Sequence, residues 1–424
     1  MNENDLKDLT ILIVGGGGRE FMLAWKMSQS SLVTKIVCAP GNGGTAGIPK
    51  CRNVDISATD ISALVELAKV EKFDLTVVGS EGPLVEGIVD RWPKDLRIFG
   101  PGLAGAELEG SKIHAKNAMN FYNIPTAKWK QFDSAEKACQ WLRLQLIDKP
   151  WVVKADGLAA GKGVLMCKDQ TEAIEAVGKM AEFGKAGQKF IIEEQISGPE
   201  ASLILLCGKA GEIIRLETAQ DYKRIGDHDT GPNTGGMGAF SPAKQLTSEM
   251  VEDVIKNVRP LIRDVHFVGF LYVGLMLTEE GPMILEFNVR SGDPETQVIL
   301  ARLQSDLAEL LYTLAGPDEY GKELIWSPEV AVTVVMAADG YPNSPRKGDV
   351  IIGLNEADEM PGITVIHAGT KLQPDGKIVT NGGRVLNVTA TSLTFPAAVR
   401  AAYYAVGKID WPGVYYRHDI GESA

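Results

Sequence analysis

The sequence predicts a multidomain α/β protein on three observations: a strand, glycine turn, helix and strand in succession at the start, a second glycine loop set between two strands, and a length of 424 residues. At that length a single core is unusual, so two to four domains of roughly 100–200 residues are expected. Composition agrees: 45% hydrophobic and 23% charged residues are the proportions of a soluble globular chain with ample core.

The opening strand is Ile11 to Val14, the turn Gly15 to Gly18, and the helix shows its apolar face at Phe21, Leu23, Ala24 and Met27 before a strand over 35–39. A helix over 61–73, a buried strand over 74–80, a helix over 83–92 and a short strand over 97–102 repeat the pattern. Residues 1–110 are therefore expected to form a parallel α/β domain. A helix over 111–123 ends before Pro125. From about 125 to 196, strand-like segments 151–155, 163–167 and 190–196 surround helical 134–145 and 171–183, a small α+β unit. Strands follow over 201–207, 212–219, 270–278 and 283–289, with a long glycine-rich loop from Asp221 to Ser241. The helix over 305–316 closes a second domain, 111–315, and the polar stretch 317–327 reads as a linker. Strands over 329–338, 363–370 and 383–392 and a helix over 395–409 form a closing α/β domain, 328–424.

The balance of 43 basic against 55 acidic residues, net charge -12, argues against broad nucleic-acid binding, which needs a basic face. Five dispersed cysteines without CxxC spacing suggest neither a disulfide framework nor a zinc site, and fit a reducing cytoplasm. The polar first ten residues lack a signal-peptide core, and no apolar run nears the 18 or so residues that span a bilayer.

Four segments carry chemistry. The first turn, GGGGRE, lacks the third glycine of a dinucleotide fingerprint, but its glycines, its helix N-terminus and Arg19 suit an anion; a tight turn without a ligand reads the same. The second loop, Lys154 to Gly163, has three residues between Gly157 and Gly161 where a Walker loop has four, and Gly163 where that loop has Ser or Thr. A hairpin with two lysines, Lys154 and Lys162, and little bulk can fold over a polyphosphate. In the strand MILEFNVR, period-2 alternation puts Ile284, Glu286, Asn288 and Arg290 on one face. Such a row is costly to bury unless paired or bound, and Glu286 with Asn288 can share a divalent cation with phosphate oxygens; a structural Glu286–Arg290 pair is the alternative. Finally, Glu193 ends a strand whose edge could meet an adenine, and Glu200 could accept ribose hydroxyls, although exposed strand-end glutamates read identically. The five histidines are scattered, none beside a nucleophile.

Together, GGGGRE with APGNGGTA, KADGLAAGKGV, QDYKRIGDHDTGPNTGGMGAFSPA, EFNVRSGDPETQ, and HAGT with TNGGRVL resemble the phosphoribosylamine-glycine ligases of the ATP-grasp superfamily. The resemblance implies an ATP-grasp fold: an N-terminal parallel α/β substrate-binding domain, an ATP-grasp domain over 111–315 with an α+β lid subdomain at about 125–196, and a C-terminal α/β domain. It implies a cytoplasmic ligase of purine biosynthesis that joins glycine to 5-phosphoribosylamine through glycyl phosphate, with ATP as co-substrate, Mg²⁺ or Mn²⁺ as metal, no nucleic-acid or membrane partner, and a monomeric or weakly dimeric state. Glu286 and Asn288 would hold the metal; Lys112, Lys154, Gly157, Gly161, Lys162, Glu193 and Glu200 would bind ATP. Arg290, Lys154 and Asp293 would be catalytic, and Gly17, Gly18, Arg19, Asp221, Arg224, Asn233 and Thr234, with Arg290, would bind phosphoribosylamine and glycine. Two positions depart from the family's usual pattern: Phe21 stands where histidine is usual, and Ser291 where phenylalanine is. A nucleotide sensor on the same fold, another ATP-grasp ligase and a nicotinamide dehydrogenase are the competing readings. Retention of Glu286, Asn288 and Arg290, the TGPNTGGMGAFSPA loop, and the failed fingerprint argue against them in that order.

Overall fold

The structure is a computed structural model that describes residues 7–158 and 163–424. The first domain is the expected parallel sheet, in the order Cys51–Asn53, Val33–Pro40, Leu9–Gly15, Leu75–Val78, Ile98–Phe99. Its central strand is buried almost throughout, as a parallel strand covered on both faces must be. The expected helix over 83–92 is two short helices, Glu81–Val85 and Ile88–Arg91, because Gly87 at φ 81° turns the chain left-handed between them.

The lid subdomain is a four-stranded antiparallel sheet in the order Trp129–Phe132, Phe190–Glu194, Trp151–Ala155, Val164–Cys167. Trp151, Phe132 and Phe190 meet Leu142 and Val177 of two covering helices in a small core of its own. Behind it, Ile213–Arg215, Glu200–Cys207, Gly269–Thr278 and Gly281–Asn288 form a second antiparallel sheet. The helix Ser248–Asp264, which the segment pattern does not predict, covers this sheet. Its signals are nonetheless in the chain: Thr247 caps it by accepting from the Met250 N–H, and Val251, Val254, Ile255, Val258, Leu261 and Ile262 recur at helical spacing.

Two expectations fail. Residues 221–241 are not a loop: Arg224–Gly226 and Thr230–Asn233 pair as a hairpin, and Gly238–Ser241 is a strand. That strand pairs with Val330–Ala337 in the C-terminal sheet, whose order is Gln220–Asp221, Gly238–Ser241, Val330–Ala337, Arg384–Ser392, Ile363–His367. Phe240 is thereby buried against Phe395 of the last helix, Phe395–Val406. Nor is 317–327 a free linker. Tyr320 is buried, its N–H donates to Glu212, and the Gln304 N–H donates to the Ile325 carbonyl. A segment with an anchoring aromatic and satisfied backbone groups is held, however polar its composition. Among the described residues no helix is long and apolar enough to cross a membrane.

Candidate active site

All of these units border one cleft of about 410 Å³. Its floor is the strand Gly281–Asn288, where the register against Gly269–Thr278 slips between Gly274 and Leu275, so that Leu285 is an extra residue. The bulge reverses the alternation. Ile284 joins Phe287 and Val289 in the core, while Leu285 lines the cleft beside Glu286 and Asn288; the expectation that Ile284 shares their face is corrected.

Glu286 is desolvated, which by itself would raise its pKa, but Lys223, Lys154, Lys112 and Arg290 outweigh burial and hold it below the ordinary carboxylate range. Arg290 does not pair with it. Its guanidinium lies 3.1 Å from Glu109 and 3.4 Å from Glu81, and donates to the Asn288 Oδ1 at 3.2 Å. Among the described residues Glu286 receives only a distant amide contact, 3.5 Å from the Asn288 Nδ2. An ionised, desolvated carboxylate beside an amide, whose oxygen faces it once the amide turns away from Arg290, fits a hard cation that takes its remaining ligands from elsewhere. Among the described residues no group of three or more His, Cys, Asp or Glu could hold a metal, so phosphate oxygens would have to complete the shell.

Facing this floor are two lysines. Ser111 caps the helix Lys112–Phe121 by accepting from the His114 N–H and donates to Asp156, which fixes Lys112 in the first turn. The Lys112 ammonium donates to the Gly157 carbonyl at 3.3 Å, and burial lowers its pKa. Lys154, on Trp151–Ala155, reaches the same cleft and forms an ion pair with Glu193. Glu193 therefore spends its carboxylate on Lys154 and on Lys116, at 2.7 Å, and does not itself line the cleft. Glu200 binds Lys223 at 2.6 Å instead of standing free. Gly157 lines the cleft; Gly161 and Lys162 lie outside the described residues.

The substrate end is built by the first and last domains. Gly15, at φ 131°, would bring a Cβ to 2.7 Å from Glu20, whose carboxylate accepts from the Gly17 N–H at 2.6 Å. The glycine turn thus wraps Glu20. Gly18 packs against Gln297 and Asn387, so neither Gly17 nor Gly18 lines the cleft. Arg19 does, bridging Glu81 at 3.2 Å and donating to the Ser291 carbonyl. Burial would raise the Glu81 pKa, but Arg19 and Arg290 hold it at about 2. Asp293 accepts from Arg384 at 2.9 Å and from Gln297 at 2.8 Å, and Arg384 also donates to the Gly235 carbonyl. Asp221 is pushed up to about 8 by burial, with Glu295 and Glu200 nearby and Lys223 opposing. Thr234 reaches the cleft, whereas Arg224 and Asn233 line a neighbouring cavity of about 570 Å³ against the lid strand Val164–Cys167.

Family profiles described as the N, ATP-grasp (A) and C domains of phosphoribosylglycinamide synthetase match residues 9–109, 110–296 and 331–423. The chain belongs to this family. It is 46% identical over 426 residues to the phosphoribosylamine–glycine ligase of Brucella melitensis, covering 98% of each chain, and 46% identical over 428 residues to that of Escherichia coli K12, covering 98% and 99%. The phosphoribosylamine–glycine ligase structure from Thermotoga maritima superposes with a TM-score of 0.82 at 32% identity, covering 97% of this chain and all of that one. A biotin carboxylase complex from Campylobacter jejuni, with a TM-score of 0.72 at 15% identity, covering 98% and 94%, shares the ATP-grasp fold.

The two positions expected to depart from the family pattern are both buried beside the site. Phe21 is buried and stacks on His367 of the C-terminal domain, centroids 5.6 Å apart. Ser291 is buried, its hydroxyl without a partner among the described residues, while its carbonyl accepts from both Arg19 and Arg290. Sequence reasoning missed Lys116, Lys223, Glu81, Glu109 and Arg384. Single charged residues outside a motif carry no local signal, although Lys223 lies within QDYKRIGDHDTGPNTGGMGAFSPA and Arg384 within TNGGRVL.

Proposed function

We propose that the protein uses ATP to activate the carboxylate of glycine and joins it to the amine of 5-phosphoribosylamine. The observation that carries the reading is Glu286 and Asn288 facing Lys112, Lys154 and Arg290 across one cleft. Glu286 and Asn288 would hold Mg²⁺ or Mn²⁺, which when bound screens the charge of the nucleotide phosphates. Lys112 and Lys154 draw the phosphates towards the floor. Arg290, already oriented by Glu81, Glu109 and Asn288, stabilises charge passing from the γ-phosphate to the glycyl phosphate. Asp293, held by Arg384 and Gln297, lines the same end of the cleft and is placed to accept hydrogen bonds from the incoming amine. Gly157 and Gly163, beside the paired ends of Trp151–Ala155 and Val164–Cys167, line the cleft on the phosphate side, where the lid strands help keep water from a hydrolysable acyl phosphate. The backbone edge beyond Glu193 receives the adenine, with Glu200 near the ribose. Arg19, Asp221 and Thr234 bind glycine and phosphoribosylamine, with Gly17, Gly18, Arg224 and Asn233 supporting them from behind the cleft wall.

The matched segments support the division 1–110, 111–315 and 328–424. The five free cysteines support a cytoplasmic protein and the acidic charge one without a nucleic-acid partner; a monomeric or weakly dimeric state rests on the family resemblance alone. The deciding assay is ADP release with Mg-ATP and glycine, with and without phosphoribosylamine generated in place, and with alanine substituted for glycine. Turnover requiring both substrates is expected. Tight ATP binding without turnover would reject the ligase in favour of a nucleotide sensor.

A further inference from the structure

Lys116 is buried, lines the cleft one helical turn beyond Lys112, and belongs to no motif. Its ammonium lies 2.7 Å from one oxygen of Glu193, whose other oxygen pairs with Lys154; the three side chains are 3%, 3% and 8% exposed. The ammonium also donates to the Thr126 hydroxyl at 2.6 Å, and that hydroxyl donates to the Ile284 carbonyl at 2.6 Å. The Ile284 N–H in turn donates to the Pro125 carbonyl, so the anchor lies where the chain enters the lid and where the floor strand bulges. Glu193 and Lys154 both belong to the lid sheet, whereas Lys116 comes from the helix outside it.

One carboxylate between two buried ammonium groups leaves the triad with one positive charge. Without Lys116 the same carboxylate could close on Lys154 with both oxygens, leaving a neutral pair with little attraction for phosphate. Burying a second lysine is unfavourable by itself, and desolvation lowers the Lys116 pKa to about 8 despite the neighbouring Glu193.

We propose that Lys116 is a positioning residue that holds Glu193 away from full pairing with Lys154, so that the Lys154 charge stays available to the ATP phosphates. This rests on the assignment of Lys154 to ATP, and it deepens that assignment by naming what regulates the lysine. A packing role predicts that any loss of Lys116 is simply destabilising. Charge division predicts that loss of Lys116 is repaired by removing the charge of Glu193.

The test uses the full-length protein, with the dissociation constant of Mg-ADP measured by titration calorimetry and KM for ATP and kcat measured separately by ADP release. Lys116→Met should weaken Mg-ADP binding and raise KM for ATP by about tenfold or more, as expected for a lost charge contact, with a smaller change in kcat. Adding Glu193→Gln should restore both to within about threefold of the wild type, and Lys116→Arg should retain most of the affinity. If Lys116→Met does not fold, Glu193→Gln alone decides: it should bind Mg-ADP at least as tightly as the wild type. Unchanged affinity in Lys116→Met, a double variant no better than the single one, or weakened binding in Glu193→Gln would each overturn the proposal. Wild-type affinity in Lys116→Met with ligase turnover intact leaves the function standing and sinks only this inference. Absence of Mg-ATP and Mg-ADP binding to the wild type would sink both.

Discussion

Glu286 is a carboxylate kept ionised by four cations in a site that would otherwise neutralise it, and such an arrangement is retained for a ligand more readily than for stability. Glu286→Gln is expected to reduce ligase turnover by roughly a hundredfold or more while the far-UV circular dichroism spectrum is kept. Turnover near wild type would remove Glu286 from the metal site. His367 makes a different prediction. Burial lowers its pKa from 6.5 to about 4, so the ring is neutral when folded near pH 7, stacked on Phe21 and hydrogen-bonded to Thr370. Between those two pH values the unfolded chain binds a proton that the folded chain does not, so stability falls as pH drops from 6.5 towards 4, by up to about 3 kcal/mol. Urea midpoints at pH 7 and pH 5 should show His367→Gln losing less stability on acidification than the wild type. An equal loss in the two proteins would show that the His367 ring does not drive it.

At the scale of elements, the hairpin 224–233 depends on the chain's last residues. Arg417 is fully buried, donates to the Arg224 carbonyl and Asp229, pairs with Asp419 at 2.6 Å and sits over the Tyr222 ring. Asp419 accepts from the His228 N–H, and Asp227 accepts from the His418 N–H. His228 and Asp229 both hold positive φ, at 53° and 54°, so the tip needs these contacts to stay in that conformation. Arg417→Met leaves Asp419 buried without its cation and should cost about 3 kcal/mol. Hydrogen exchange should rise selectively over 224–233; uniform exchange across the protein would mean that the tail does not hold the hairpin. Nothing in the glycine-rich sequence 221–241 marks this dependence, because the partner lies nearly 200 residues away in the chain. The Leu285 bulge was illegible for a related reason: alternation is read on one strand, while a bulge is defined by two.

At the scale of the whole molecule, the C-terminal domain is not an appendage. Gly238–Ser241 completes its sheet, Arg384 reaches back to Asp293 and Gly235, and the Asn42 side chain donates to the His367 carbonyl at 2.8 Å. Truncation after residue 327 should therefore leave Phe240 exposed and an edge strand unpaired, and yield a fragment without ligase turnover that aggregates on gel filtration. A monomeric, active fragment would contradict that interdependence. By itself the sequence determined the α/β class, the parallel first sheet and the two lid strands on either side of the second glycine loop, and it singled out Glu286, Asn288, Arg290 and Lys154 as candidates, because periodicity and motif spacing are local properties of the chain. Only the tertiary structure decided that Glu193 serves two lysines, that Glu81 and Glu109 orient Arg290, that Glu20 fills the first glycine turn, and that a strand of the central region belongs to the last sheet. Those are pairings between distant residues, set by which buried charges and unpaired edges the packed chain brings within a few ångströms of each other.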